Sequence, residues 1–122
     1  MAFRKKICVD FDGVVHWYRD GWKEGVIYDE PVPGAFSWLA ELVGDPDFEV
    51  CIYSSRSKEP GGVATMAAWF LEHDLPQAVF DELEFPTQKP AAYLTIDDRA
   101  ICFEGTFPTR DEMSAFKPWM KR

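Results

Sequence analysis

Positive charge is in short supply in this chain. Its 13 Lys and Arg stand against 21 Asp and Glu, a formal net charge of −8. Such a chain lacks the clustered cations that displace counterions from nucleic acid or grip an anionic membrane. A broad nucleic-acid surface is thereby excluded, although a small basic patch is not. No apolar run approaches the length of a bilayer span, and the opening MAFRKKICVDF meets an acid before a signal-peptide core is complete, so neither a membrane helix nor a leader is expected. Cysteine is sparse too. Cys8, Cys51 and Cys102 are odd in number and each lies in an apolar run. This excludes a disulfide framework and predicts buried thiols in a reducing, cytoplasmic setting. Repeats, low-complexity tracts and interdomain linkers are missing as well.

What is present suffices for a core. With 122 residues, 47% of them apolar and 16% aromatic, residues 1–122 fit a single domain that offsets its ordering entropy by burial. KKICVD reads as a buried strand. The segment from Gly13 to Gly34, rich in Gly, Pro and aromatics, reads as a loop with room for a small hairpin. After Pro33, the residues Phe36, Leu39, Leu42 and Val43 share one helical face, and Gly44 with Pro46 supplies a stop. FEVCIYSS reads as a second strand. Val63, Met66, Ala67, Phe70 and Leu71 then recur at helical spacing, with His73 at the negative end of that helix. AVFDELEF contains a short edge strand, AYLTIDD a strand that ends abruptly in acid, and ICFEG a last strand. Thr109 and Glu112 have the spacing of a capping box.

Strands separated by helices predict a parallel sheet, whose ligand crevice lies beyond the carboxyl ends of its strands. Three runs end in polar chemistry there: Asp10 and Asp12 after the first, Ser54 and Ser55 after the second, Asp97 and Asp98 after AYLTI. If these strands are neighbours, four carboxylates converge, and like charges at close range call for a cation. An all-oxygen donor set without His or Cys suits a hard ion, Mg²⁺ ahead of Ca²⁺. The calcium-loop reading of DFDG fails, because Gly21 stands where such a loop needs Glu.

A carboxylate beside such an ion can attack phosphorus and form an aspartyl-phosphate. The phosphoryl oxygens then need compensation, for which Ser54 supplies a hydroxyl, Lys89 an ammonium, and the turn after Asp10 its amides, with Gly13 easing the close approach of an anion. Alternation turns Ser54, rather than Ser55, toward the site. Arg56 and Arg99 carry two readings, as rim residues that grip substrate phosphate or as surface charges. Trp17, Tyr18 and Trp22, in the loop over the site, either pack on the sheet edge or stack on a base or sugar.

VDFDGVV, CIYSS, Lys89 and TIDDRA, in that order, resemble the four motifs of the haloacid dehalogenase superfamily. The resemblance spans Asp10 to Arg99. It implies an α/β, three-layer Rossmann-like fold with a central parallel sheet, and a Mg²⁺-dependent phosphohydrolase. It implies Asp10 as nucleophile, Asp12 as general acid and then base, Ser54 on the phosphoryl group, and Lys89 holding nucleophile and phosphate in register. For Mg²⁺ it implies Asp10, the backbone carbonyl of Asp12 and the side chain of Asp98, with Asp97 as supporting acid. Lys89 stands closer to Asp97 than in many members, and the segment from His16 to Gly34 is too short for a helical cap, so a capless form is expected. The substrate is a phosphorylated compound that the sequence does not specify. Two other readings stand beside it: a receiver-like phospho-accepting module, which the acid two residues past Asp10 argues against, and a phosphotransferase or non-catalytic phosphate-binding homologue.

Overall fold

The computed structural model describes residues 3–122; Met1 and Ala2, the start of the segment read as lacking a leader, lie outside the described residues. Four strands form one sheet: β1 (Lys5–Val9), β2 (Phe48–Ile52), β3 (Leu83–Glu84) and β4 (Leu94–Ile96). Their order is β3-β2-β1-β4 and every pairing is parallel. The helices are α1 (Ala35–Val43), α2 (Gly62–Glu72), α3 (Gln77–Phe80) and α4 (Arg110–Ser114). No helix among the described residues is long and apolar enough to cross a membrane.

Strand alternation divides the sheet into two unlike faces. Ile7, Val9, Val50, Ile52 and Leu83 point to one side and form a single cluster with Leu39 of α1 and Met66, Trp69 and Phe70 of α2. Leu39 and Phe70 are fully buried, so truncating either to Ala costs about 2–5 kcal/mol. The opposite side carries Lys6, Cys8, Glu49, Cys51 and Glu84, with Lys6 between Glu49 and Glu84 at 3.8 and 3.6 Å. On that side the chain returns from β3 at one edge to β4 at the other without a helix. Its last step is fastened by Tyr93, whose N–H donates to the Lys6 carbonyl.

Several expectations change in the structure. ICFEG forms no strand; Ile101 and Phe103 are exposed and β4 remains an edge. Cys8 and Cys51 are buried free thiols, whereas Cys102 is exposed, because its apolar run never joins the sheet. In AVFDELEF the first residues wind into α3 and only Leu83–Glu84 pair. Within α2 the buried set includes Trp69, while Leu71 is exposed. The loop from Gly13 to Gly34 contains no hairpin strands, but Trp17 N–H to the Glu30 carbonyl and Val32 N–H to the Val15 carbonyl tie its two limbs together. The Thr109 cap is present, its hydroxyl accepting from Glu112 N–H at 3.1 Å.

Candidate active site

The chain leaves β1 toward β2 and β3 on one side and comes back to β1 from the other as β4. This makes the β1/β4 boundary the switch point where open parallel sheets hold ligands. Asp10 follows β1, and Asp97 and Asp98 follow β4. Asp10 N–H donates to the Ile96 carbonyl at 2.9 Å, which draws the two strand ends together. One oxygen from each of Asp10, Asp97 and Asp98 lies within 4.8 Å of the others.

Two of these acids are partly buried, and their protonation reflects it. Burial, followed by the charge of Asp97, pushes the Asp10 carboxyl up to about 8 from its ordinary 3.8. Burial raises Asp98 as well. For Asp10 this favours the protonated form near neutral pH, a proton that a bound cation would displace. Three convergent carboxylates and no nitrogen or sulfur donor make a set that fits a hard divalent ion.

Gly13 permits this closeness. Its φ of 84° is a left-handed value, and a Cβ there would lie 2.2 Å from Asp98 Oδ2. Its N–H donates to the His16 carbonyl and its own carbonyl accepts from the Trp119 indole at 2.7 Å. Gly13 therefore opens space for Asp98, and its amide is already engaged within the turn.

Asp12 does not join the acid cluster. Its Oδ1 lies 2.9 Å from Nδ1 of His16 and its Oδ2 accepts from Nε of Arg56 at 2.8 Å. Arg56 is no rim residue: it is 4% exposed, donates through Nη1 to the Gly25 carbonyl and lies over the Trp22 ring. The reason is local. Ser54 caps the 3₁₀ turn Ser55–Lys58, its hydroxyl accepting from Arg56 N–H and its N–H donating to Ser57 Oγ, and this turn swings Arg56 inward. Gly62 lets α2 begin against the turn, since a Cβ there would meet the Arg56 carbonyl oxygen at 1.8 Å.

Ser54 is buried and Ser55 exposed at the end of β2. Lys89 is exposed and lines an open cavity with Ser57, Thr87 and Gln88. Burial raises the Cys8 thiol against the smaller lowering effects of its hydrogen bond with Cys51 and of the Lys89 charge. Arg99 is exposed, and its N–H is held by Asp97 Oδ1 at 2.9 Å. Of the loop aromatics, Trp17 packs on Trp119, and Trp22 stays half exposed above Arg56. A cavity of about 260 Å³ opens between Trp22, Arg56 and the start of α2.

Sequence reasoning did not assign His16, Asp29 or Trp119. His16 carried one usable signal, its spacing of four residues from Asp12; Asp29 and Trp119 act through contacts that no local pattern encodes. Comparison with protein-family models, curated proteins and solved structures finds no match.

Proposed function

We propose that this chain is a Mg²⁺-dependent phosphohydrolase of the haloacid dehalogenase type, working through an aspartyl-phosphate on Asp10. The framework is read as a reduced, capless version of the three-layer Rossmann-like plan. The single observation that carries the reading is the meeting of Asp10, Asp97 and Asp98 within 4.8 Å at the switch point.

On this reading Asp10, Asp98 and the Asp12 carbonyl would hold the ion, which would supply positive charge against the carboxylates and the phosphoryl group. An Asp10 oxygen attacks phosphorus while the bond to the leaving oxygen breaks, and Asp12 gives that oxygen a proton. Water then attacks the phospho-aspartate, loses a proton to Asp12, and inorganic phosphate departs. Ser54 and Lys89 support the phosphoryl group.

The test is hydrolysis of an aryl phosphate with and without Mg²⁺. Asp10→Asn is expected to abolish turnover, and Asp12→Asn to lower it by about 10²- to 10⁴-fold, the scale of general acid–base catalysis. Full activity in either variant rules out the mechanism.

A further inference from the structure

The Asp12 carboxylate is held from two sides by buried donors. His16 is 0% and Arg56 4% exposed, and each meets a different oxygen, at 2.9 and 2.8 Å. The histidine tautomer follows from its other nitrogen. Asp29 N–H donates to Nε2 at 3.1 Å. A ring nitrogen that accepts carries no proton, so the neutral ring has its proton on Nδ1 and donates it to Asp12.

Each donor is fixed in turn by further contacts. The His16 ring stacks on Phe11 and meets the edge of Trp69. Asp29 is anchored by the Trp69 indole, which donates to its carbonyl at 2.9 Å, and by Arg19, which clasps its carboxylate at 2.7 and 3.1 Å. Arg56 is oriented by the Gly25 carbonyl and the Trp22 face. Its Nη2 is buried with no hydrogen-bond partner. A buried donor left unpaired is costly, and this side chain keeps that cost while directing its other nitrogens to Asp12 and Gly25.

We propose that His16 and Arg56 are positioning residues for Asp12, fixing the rotation of its carboxylate so that a free lone pair faces the oxygen leaving phosphorus. Two donors occupy two of its four acceptor directions, and the proton exchanged during catalysis uses another. Because Asp12 gives a proton in the first step and takes one in the second, one fixed orientation serves both. The proposal rests on the phosphohydrolase reading, and both residues act through the Asp12 carboxylate.

Two esters with unlike leaving groups test it, since kcat/KM covers the steps through loss of the leaving oxygen. In His16→Phe, kcat/KM for phenyl phosphate is expected to fall by about 10- to 100-fold, while 2,4-dinitrophenyl phosphate, whose leaving group needs no proton, falls by less than about threefold. His16→Asn, which returns an N–H donor near the Nδ1 position, recovers most of the loss. Arg56→Lys, which keeps the charge but cannot reach Asp12 and Gly25 together, shows the same selective loss. Equal losses on both esters, or none, overturn the proposal. A second measurement needs no turnover: ¹⁵N–¹H NMR of the wild-type protein is expected to show His16 as the Nδ1–H tautomer, with its ring signals moving in Asp12→Asn. An Nε2–H tautomer overturns the clamp. If Asp10→Asn hydrolyses the dinitrophenyl ester at the wild-type rate, the aspartyl-phosphate reading fails by itself, and the NMR result still decides the geometry around Asp12.

Discussion

The indole N–H of Trp119 donates to the Gly13 carbonyl at 2.7 Å, joining residues 106 apart in sequence, and its ring stacks on Trp17 at 5.5 Å. The turn that follows Asp10 is thus braced by a residue from the C-terminal segment. Trp119→Phe keeps the stack and loses the hydrogen bond, at a cost of about 0.5–1.5 kcal/mol; Trp119→Ala loses both, about 1–3 kcal/mol in all. Urea midpoints measure the difference. Identical midpoints for wild type and Trp119→Ala would mean that this brace contributes nothing to the fold.

Gly13→Ala attacks the site from within. The left-handed backbone alone costs a non-glycine residue about 1–2 kcal/mol, and the new methyl group collides with Asp98. On the proposed reading Mg²⁺ is expected to raise the melting temperature of the wild type, and the variant is expected to melt lower and to lose that response. A variant that melts lower yet keeps its full response to Mg²⁺ would separate Asp98 from the ion.

With its native pKa raised to about 8 from an ordinary 3.8, Asp10 ties stability to pH in a defined direction. Between those values the native protein retains a proton that the unfolded chain has released. Stability of the metal-free protein is therefore full below the ordinary value, declines as pH rises, and has lost this contribution above about 8. Asp98, raised as well, acts with the same sign. Urea titrations at about pH 5 and about pH 8 are expected to show the decline, and Asp10→Asn to flatten it. Mg²⁺ binding near neutral pH should release roughly one proton, read by calorimetry in buffers of different ionisation enthalpy. Binding without proton release contradicts a protonated Asp10.

Thiol reactivity checks the two faces of the sheet. Cys102 is exposed, whereas Cys8 and Cys51 are buried, and burial pushes the Cys51 thiol up to about 12. Ellman's reagent is expected to titrate one thiol rapidly in the native protein and all three in denaturant. Rapid modification of two or three native thiols would mean that the face of the sheet carrying Cys8 and Cys51 is open.

The sheet and its first two crossovers were legible because their signals are local. Short apolar runs ended by polar residues mark KKICV and FEVCI as strands, and the spacing of Phe36, Leu39, Leu42 and Val43 marks the inner face of α1. The placement of Asp10 beside Asp97 and Asp98 followed from topology, since acids at the carboxyl ends of adjacent parallel strands must meet. Asp12 was misplaced in that gathering. Its partners are set by a loop closing through Asp29 and by a 3₁₀ turn that carries Arg56 inward, and neither leaves a periodic trace. Both readings of Arg56, as a rim residue gripping phosphate and as surface charge, leave out its burial for the same reason: composition says where a guanidinium is comfortable, and here ion pairing with Asp12 overrides it. ICFEG has the apolar character of a strand, but a strand exists only where a neighbour offers its backbone, and that is a property of the assembled sheet.

The strand order also sets a timetable. The helix-connected strands β1, β2 and β3 can pair as soon as residue 84 is available, yet at that moment Asp10 has no second acid beside it. Leu94–Ile96 arrive afterwards, on the opposite flank, bringing Asp97 and Asp98. A nascent chain can therefore pair three of its four strands before Asp97 and Asp98 stand beside Asp10, and the acid cluster is completed only by the last strand.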